Sequence, residues 1–422
     1  MVTSAGVLHP AATTVAELDH VLREGEPALR ATPLPGTDLV VPAARLDGFD
    51  PRSWARVHCD DQETRSTLRR VAGRATLPVR TACCVALAAC TAARLTGAEA
   101  RDTAVVLAGN NLALGHQSRS AAAYAADPSA IRAGHVLDCF DTDALGAVGE
   151  VTGCRGEGWP IGGSSAAGAL ALIHAARLVA TGQAPRCLVV APVNDLSPVE
   201  ISAFVKAGAM ARVTEGGDAT AGCRPFDESH DGFAAAHIAA AVLIEPASEA
   251  CRRGIRPLGR ILGSGTGTDG RRGTQPETDG QVRAMRAALT DSGLAPSDID
   301  YVNAHGTGSV IGDDSEAAAL GEVFNATEGA IGEGPWVNST KALLGHGLGA
   351  AGLVEAIATL LQLTGGYCHA NPRLTKPVRP DLRFVTDTIT RTPLRTALSN
   401  SFAFSGINAS LVLGRAAEED SP

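Results

Sequence analysis

Short, continuously apolar segments alternate along this chain with longer segments of helical spacing. The apolar segments are rich in valine and leucine, and examples are residues 103–108, 186–191 and 239–245. Strands that are apolar on both faces are typical of buried, mostly parallel sheets, because helices then cover both sides of the sheet. The alternation therefore predicts an α/β fold with buried sheets.

The length of the chain predicts two structural halves. At 422 residues it exceeds one ordinary domain, and its 47 glycines favour helices packed closely on sheets. Charged residues make up 19%, which is too few for a disordered or coiled-coil protein. We place the boundary near residue 250, so that the halves are 1–250 and 251–422, although no internal repeat is visible in the sequence.

Composition and charge argue against several classes of protein. The net charge of −9 disfavours a dominant basic surface for nucleic acid. The longest apolar run, 350–363, is shorter than the ~18 residues of a membrane span and carries Glu355. Residues 1–10 lack the basic start of a signal peptide, and the 10 cysteines contain no CxxC pair for zinc. We expect a cytoplasmic protein that binds neither membrane, metal nor nucleic acid.

Three glycine-rich motifs in the second half carry polar residues suited to catalysis. They are Asn-Ala-His-Gly-Thr-Gly-Ser at 303–309, Asn-Ser-Thr-Lys at 338–341 with Gly-His-Gly-Leu-Gly at 345–349, and Asn-Ser-Phe-Ala-Phe-Ser-Gly-Ile-Asn at 400–408. Glycine beside His305 and His346 lets a substrate or backbone approach each imidazole closely. Only three of the 36 basic residues are lysines, and Lys341 is one of them.

The order and spacing of these motifs resemble the β-ketoacyl synthases of fatty-acid and polyketide synthesis, and among them the elongating type. The segments 223–227 and 231–233 are similar to the Arg-Pro-Phe-Asp and Asp-Gly-Phe sequences of that family. The resemblance implies a thiolase fold, in which two similar α/β halves form five layers, α-β-α-β-α. It also implies a dimer formed through the first half.

Two spacings locate the position at which that family has its nucleophilic cysteine. An elongating ketosynthase often carries His-Ala-Ala-Arg nine residues after the cysteine and a glycine seventeen residues after it. Counting back from His174 and from Gly182 gives residue 165 in both cases, and this chain has serine there. The Thr-Ala-Cys sequence that ends at Cys83 is similar to the sequence around the nucleophilic cysteine of that family, but it lies too early in the chain. We therefore interpret Cys83 and Cys84 as packing residues.

The resemblance also implies the roles of the remaining site residues. His305 and His346 would flank Ser165, and Lys341 would support His305. The hydroxyls of Thr307 and Ser309 would bind the pantetheine arm of the substrate, and Phe404 would be an aromatic gate. Asp269 would also bind substrate, from the glycine-rich, mobile loop 263–270 that faces this gate. No cofactor is expected, because the substrate is carried on the phosphopantetheine of an acyl carrier protein.

The serine leaves three interpretations open. A serine hydroxyl is far less acidic than a thiol and needs a neighbouring base to act as a nucleophile. It could define a natural decarboxylase or acyltransferase, or belong to a partner subunit similar to the chain-length factors, or be an engineered replacement. An enzyme is favoured by the presence of His305, Lys341 and His346. A partner subunit is favoured by Ser165 and by residues 236–238, which are Ala-His-Ile where the family commonly has Gly-acid-Gly.

We therefore expect a ketosynthase-like acyltransferase that acts on acyl or malonyl thioesters of acyl carrier protein in polyketide or fatty-acid-like biosynthesis. The alternative is a non-catalytic, chain-length-factor-like subunit of a ketosynthase heterodimer. The first would be a homodimer or would pair with another ketosynthase-family subunit.

A cluster of arginines is the candidate docking surface for an acidic carrier protein. Its members fall within sixteen residues: Arg65, Arg69, Arg70, Arg74 and Arg80. The spacing of four puts Arg65 and Arg69 on one helical face, and Arg70 and Arg74 on one face. A solvated arginine-rich helix is the other interpretation, in which case docking would involve the region of Lys206 and Arg212.

Overall fold

The computed structural model describes residues 1–213, 217–324 and 334–417. Within them the strands are β1 (Val2–Leu8), β2 (Arg30–Pro33), β3 (Val40–Ala44), β4 (Ala104–Ala108), β5 (Gly158–Ile161), β6 (Cys187–Ala191), β7 (Ala235–Ala236), β8 (Ala239–Ile244), β9 (Arg260–Thr268), β10 (Tyr301–Asn303), β11 (Trp336–Asn338), β12 (Tyr367–Cys368), β13 (Thr390–Arg391), β14 (Thr396–Ala403) and β15 (Ile407–Gly414). The helices are α1 (Val15–Glu24), α2 (Pro51–His58), α3 (Gln62–Ala72), α4 (Leu77–Ala92), α5 (Gly97–Arg101), α6 (Leu114–Ala126), α7 (His135–Asp138), α8 (Thr142–Thr152), α9 (Ala167–Ala180), α10 (Pro198–Lys206), α11 (Ala247–Arg252), α12 (Thr278–Ser292), α13 (Val310–Phe324), α14 (Lys341–Leu344) and α15 (Ala351–Gly365). Single 3₁₀ turns at Ser164–Ala166 and Leu348–Ala350 precede α9 and α15.

Two five-stranded sheets share one topology. Their orders are β1-β8-β6-β4-β5 and β9-β15-β14-β10-β11, so each sheet runs first, fifth, fourth, second, third in its own chain order. In both sheets the fifth strand is antiparallel to its two neighbours and the remaining pairs are parallel. The duplication that the sequence does not reveal is therefore present in the strand connections. Residue 250 lies in α11, between the last strand of the first sheet and the first strand of the second.

The two sheets and their helices form the five layers of the thiolase fold. α4 packs on the outer face of the first sheet, α12 packs on the outer face of the second, and α9 and α15 lie between the sheets. The backbones of α9 and α15 are in direct contact, and glycine at two positions makes this possible. A Cβ atom at Gly168 would lie 2.6 Å from the Leu353 nitrogen, and a Cβ atom at Gly352 would lie 2.8 Å from the Ala169 nitrogen. This close packing brings the first turns of the two helices together, at the place where Ser165 and His346 lie.

One apolar segment is longer than the sequence analysis stated. Leu348–Gly365 forms 18 residues of helix that are apolar enough to cross a membrane by length and composition alone. In the structure 78% of this segment is buried inside the protein, where it forms part of the middle layer. The expectation that no segment reaches this length was wrong, because Glu355 does not interrupt the helix: it forms an ion pair with Lys341 in the interior.

The glycine-rich segment that was expected to be a mobile loop is a paired strand for most of its length. Residues 263–268 belong to β9, which pairs along β15 from Arg260 to Thr268. Its glycines allow α12 to pack closely on β9, since a Cβ atom at Gly265 would lie 2.0 Å from the Ala284 carbonyl oxygen of α12. Only Asp269 and Gly270 of the predicted loop follow the strand.

Candidate active site

A cavity of about 260 Å³ lies where the first turns of α9 and α15 meet the carboxyl ends of β10 and β14. Six of the eight sequence-predicted site residues line it: Ser165, His305, His346, Thr307, Ser309 and Phe404. Four phenylalanines supply much of its apolar wall: Phe204, Phe233, Phe402 and Phe404. Among the described residues that line the cavity, none is a lysine or an arginine.

Ser165 occupies the turn that leads into α9. The residue before it, Ser164, has φ +50°, a left-handed conformation that side-chain-bearing residues rarely adopt. The Ser165 hydroxyl lies 2.9 Å from Nε2 of His346. Cys83 and Cys84 lie fully buried in α4, where burial raises the pKa of the Cys83 thiol to about 12. Their burial agrees with the interpretation that they are packing residues.

His346 is held by its backbone and by an aromatic ring. Gly345, with φ +77°, turns the chain so that the His346 N–H donates to the Ala234 carbonyl at 2.7 Å. The Phe233 ring meets the imidazole edge to face, with centroids 5.2 Å apart. Burial, and then the charge of Lys341, hold the pKa of His346 well below its usual value, so the ring is neutral. Within the described residues its Nδ1 has no hydrogen-bond partner.

His305 faces His346, and Lys341 fixes its orientation. The two imidazoles are nearly perpendicular, with centroids 5.6 Å apart. The Lys341 ammonium lies 2.6 Å from the His305 carbonyl oxygen and 3.4 Å from Nδ1, and it pairs with Glu355 of α15. Burial, then the charge of Lys341, lower the pKa of His305 well below its usual value. An ammonium donates to Nδ1 and leaves the ring proton on Nε2, the tautomer that offers a donor to a substrate.

Two acids of α13 hold the loop that carries His305. Glu316 accepts hydrogen bonds from the backbone N–H groups of His305 and Gly306, both at 2.8 Å. Asp313 accepts from those of Thr307 at 3.0 Å and Gly308 at 3.1 Å. Four consecutive amides are thus bound by two carboxylates. Burial raises the pKa of Glu316 to about 7, although the hydrogen bonds from the His305 and Gly306 amides oppose this shift.

No role was predicted for Asp313 and Glu316 from the sequence. The available signal was two acids three residues apart at the start of a helix that follows a glycine-rich loop.

The mouth of the cavity contains the predicted hydroxyls and the predicted gate. The Thr307 and Ser309 hydroxyl oxygens lie 2.9 Å apart. Phe404 lies in the turn between β14 and β15 and is 6.2 Å, centroid to centroid, from Phe204. Asp269 does not line the cavity, although it was predicted to bind substrate.

Asp269 instead holds the turn that carries Phe404. The Asp269 N–H donates to the Gly406 carbonyl at 2.8 Å, and the Asn408 side-chain amide donates to the Asp269 carboxylate at 2.6 Å. A Cβ atom at Gly406 would lie 2.5 Å from that of Asp269, so the turn and the acid are in direct contact.

The arginine cluster forms a separate surface. Arg69, Arg70 and Arg74 line a shallow surface cleft of about 380 Å³ on and beside α3, away from the active-site cavity. Arg70 pairs with Glu150 of α8. Arg80 lies in α4 and donates to the Ala75 carbonyl at 2.8 Å, so it is not part of the cleft.

Comparison with known proteins places the chain in a family. A model of the β-ketoacyl synthase N-terminal domain matches residues 1–250, and a model of the C-terminal domain matches residues 258–375. The chain is 35% identical over 277 residues to the polyketide biosynthesis malonyl-ACP decarboxylase PksF of Bacillus subtilis, a match that covers 66% of this chain and 65% of PksF. It is 37% identical over 253 residues to the mitochondrial 3-oxoacyl-[acyl-carrier-protein] synthase of Arabidopsis thaliana, covering 58% of this chain and 54% of that protein.

The matches thus span between about half and two thirds of the length of these curated relatives. Among solved structures, the ishigamide ketosynthase/chain length factor aligns with a TM-score of 0.84 at 25% identity, over 98% of each chain. The family models match most of the chain, and the fold agrees over nearly all of it. The chain belongs to the β-ketoacyl synthase family.

Proposed function

We propose that this protein decarboxylates a malonyl thioester carried on acyl carrier protein and releases an acetyl thioester. The observation that carries the proposal is that two neutral imidazoles, with His346 buried and His305 partly buried, lie beside a serine rather than a cysteine at the nucleophile position. The similarity to PksF, whose name describes a malonyl-ACP decarboxylase, supports it.

The imidazoles supply hydrogen-bond donors where negative charge develops. In the proposed complex the thioester oxygen accepts from Nε2–H of His305 and of His346. When the C–C bond to the carboxylate breaks, its electron pair forms an enolate and carbon dioxide leaves. The enolate oxygen is then negative and the two donors stabilise it. A proton from water completes the methyl group, so the net reaction consumes one proton.

The cavity favours loss of the carboxylate charge. The wall contains four phenylalanines and, among the described lining residues, no lysine or arginine. A carboxylate placed there loses hydration without gaining a cationic partner, whereas carbon dioxide is neutral. The same wall would stabilise a malonyl group much less than it stabilises the products.

Ser165 is poorly equipped to form an acyl ester. A serine–histidine pair becomes an effective nucleophile when a third group orients the base and stabilises its positive form. His346 has no such partner at Nδ1 within the described residues, and its pKa is held low. The hydroxyl therefore serves as a polar neighbour of His346, and decarboxylation does not depend on it.

Substitutions of Ser165 test whether its hydroxyl takes part in the reaction. We expect Ser165→Ala to retain conversion of malonyl-ACP to acetyl-ACP within a few-fold of the parent protein, measured by mass spectrometry of the carrier protein. We expect Ser165→Cys to gain an acyl adduct on the peptide that contains residue 165, because a thiol at a helix start ionises readily. The parent protein, treated in the same way, is the control.

Two results would contradict this account of the serine. A 10²-fold loss of conversion in Ser165→Ala would mean that the hydroxyl takes part in the reaction. An adduct on Cys83 or Cys84 in the Ser165→Cys protein would mean that the nucleophile position is misassigned.

A second candidate function is that of a partner subunit in a ketosynthase heterodimer. The solved ketosynthase/chain length factor supports it through the shared fold, and so does the segment 236–238, which has His237 in place of an acid. His237 does not replace that acid electrostatically, because burial lowers its pKa to about 4 and its Nδ1 accepts from the Leu46 N–H. Stable copurification with a ketosynthase, together with no conversion of malonyl-ACP, would favour this function over the decarboxylase.

We also propose that the arginine cleft docks the carrier protein. Carrier proteins are strongly acidic, and this chain has a net charge of −9, so attraction requires a local basic surface. We expect Arg69→Glu with Arg74→Glu to weaken binding of malonyl-ACP several-fold at low salt, in titrations that follow bound carrier protein. The difference should shrink as salt shortens the screening length to below ~8–10 Å.

Arg391→Glu is the matched control for this pair, because Arg391 is exposed but lies in the second half of the chain. If the double variant binds as tightly as the parent, docking involves another surface, such as that near Lys206 and Arg212.

A further inference from the structure

His230 is a buried histidine in contact with Asp313, one of the two acids that hold the loop carrying His305. Its side chain is 4% exposed, and its Nδ1 lies 3.5 Å from the Asp313 carboxylate. On the other side its Nε2 lies 4.0 Å from Asp314. His230 has no part in the proposed decarboxylation, and it does not line the active-site cavity.

Asp313 connects His230 to the catalytic loop. Its carboxylate accepts from the backbone N–H groups of Thr307, Gly308 and Phe226, the last at 2.7 Å. Thr307 and Gly308 follow His305 by only two and three residues. The position of Asp313 therefore helps to set the position of the His305 imidazole.

The segment that carries His230 also bonds the same loop directly. The Gly232 N–H donates to the Gly308 carbonyl at 2.8 Å. Gly308 has φ +86°, and a Cβ atom there would lie 2.8 Å from the Gly232 carbonyl oxygen. Phe233, the next residue, packs on His346. One short segment thus touches the surroundings of both catalytic histidines.

We propose that protonated His230 is a positioning residue, which holds Asp313 and through it the loop that presents His305 to the substrate. The catalytic consequence rests on the proposed decarboxylase function, but the effect on the loop does not. A charged imidazole donates to the carboxylate and cancels its charge in a site that excludes water. A neutral imidazole can still donate through Nδ1–H, but it no longer cancels the charge of the carboxylate.

The surroundings of His230 favour its charged form. Burial alone would lower its pKa, but the hydrogen bond to Asp313 and the charges of Asp313, Asp314 and Asp227 outweigh burial and raise it above the usual value. Other charged groups near this segment include Asp231, Arg224 and Arg212. A histidine with a raised pKa stabilises the folded site at low pH, and this contribution is lost as the pH rises through the raised value.

Three substitutions test the proposal. His230→Gln has a similar size but no charge, His230→Arg has a permanent charge, and Asp314→Asn removes a partly exposed acid that bonds none of the loop amides. The measurements are hydrogen exchange of peptides covering 305–308, corrected for intrinsic exchange rates, and the rate of carbon dioxide release from malonyl-ACP, both as functions of pH. Glu316 also titrates, but it is unchanged in every variant.

In the parent protein we expect loop protection and turnover to fall together by about tenfold as the pH rises, since a small displacement of a catalytic group has a large kinetic effect. We expect His230→Gln to show the lower values at every pH, and His230→Arg to show the higher values without the fall at high pH. Asp314→Asn should move the midpoint of the fall to lower pH.

The proposal is overturned if His230→Gln matches the parent in loop protection at low pH, or if Asp314→Asn leaves the midpoint unchanged. The second criterion applies even if His230→Arg does not fold. If loop protection behaves as expected while no variant releases carbon dioxide at any pH, the positioning role stands and the decarboxylase function is wrong.

Discussion

His305→Ala and His346→Ala are each expected to reduce carbon dioxide release from malonyl-ACP by about 10²–10³-fold. This is the typical effect of removing one hydrogen-bond donor from a site that stabilises a developing negative charge. Both rings are neutral, with His346 buried and His305 partly buried, and they face each other across the cavity with centroids 5.6 Å apart. The measurement is the initial rate of carbon dioxide release at saturating malonyl-ACP, with folding checked by thermal unfolding.

His20→Ala is the control for this pair, because His20 is an exposed histidine of α1. A parent protein without activity on any carrier protein would favour the partner-subunit function. A parent protein with activity that survives either histidine substitution would show that the chemistry occurs elsewhere.

Glu355→Leu is expected to lower the free energy of unfolding by about 3–5 kcal/mol, the usual cost of leaving one charge of a buried ion pair unpaired. Lys341 and Glu355 have side chains 1% and 2% exposed, so solvent does not replace the lost partner. Urea denaturation of the parent and variant proteins measures the difference.

The double substitution Lys341→Met with Glu355→Leu separates stability from catalysis. Removing both charges should recover most of the lost stability, because neither desolvation penalty remains. Activity should stay low, by roughly 10–10²-fold, since the donor that fixes the His305 tautomer is gone. Recovery of full activity in the double variant would show that Lys341 has only a structural role.

Much of the fold could be predicted from local patterns. The apolar segments at 103–108, 186–191 and 239–245 correspond to β4, β6 and β8, with boundaries shifted by one residue or less at each end. These predictions are correct because a strand buried on both faces must be apolar throughout, which is visible in a few residues. Residues 260–265 were predicted as a strand and lie in β9, but 263–268 was also assigned to a mobile loop because its glycines indicate a loop. In the structure Gly263 and Gly265 admit α12 close to β9.

Ser165 was located from spacing, because spacing along a helix is a local property. Counting from His174 and Gly182 placed Ser165 at the start of α9, and the structure has its hydroxyl 2.9 Å from His346. The distance between these two residues along the chain is 181 positions, and only the packing of α9 on α15 brings them together.

The fold class, the residue that stands at the family's nucleophile position and the two candidate histidines could all be predicted from the sequence, since each depends on residue type and local spacing. The tertiary structure alone decided the duplicated sheet topology, the binding of loop amides by Asp313 and Glu316, and the role of Asp269 in the turn below Phe404 rather than in the cavity. The physical reason is that a carboxylate binds whichever donors the fold places near it, and those donors come from elements that are distant in the chain. The contact of His230 with Asp313, 83 residues apart, has the same origin.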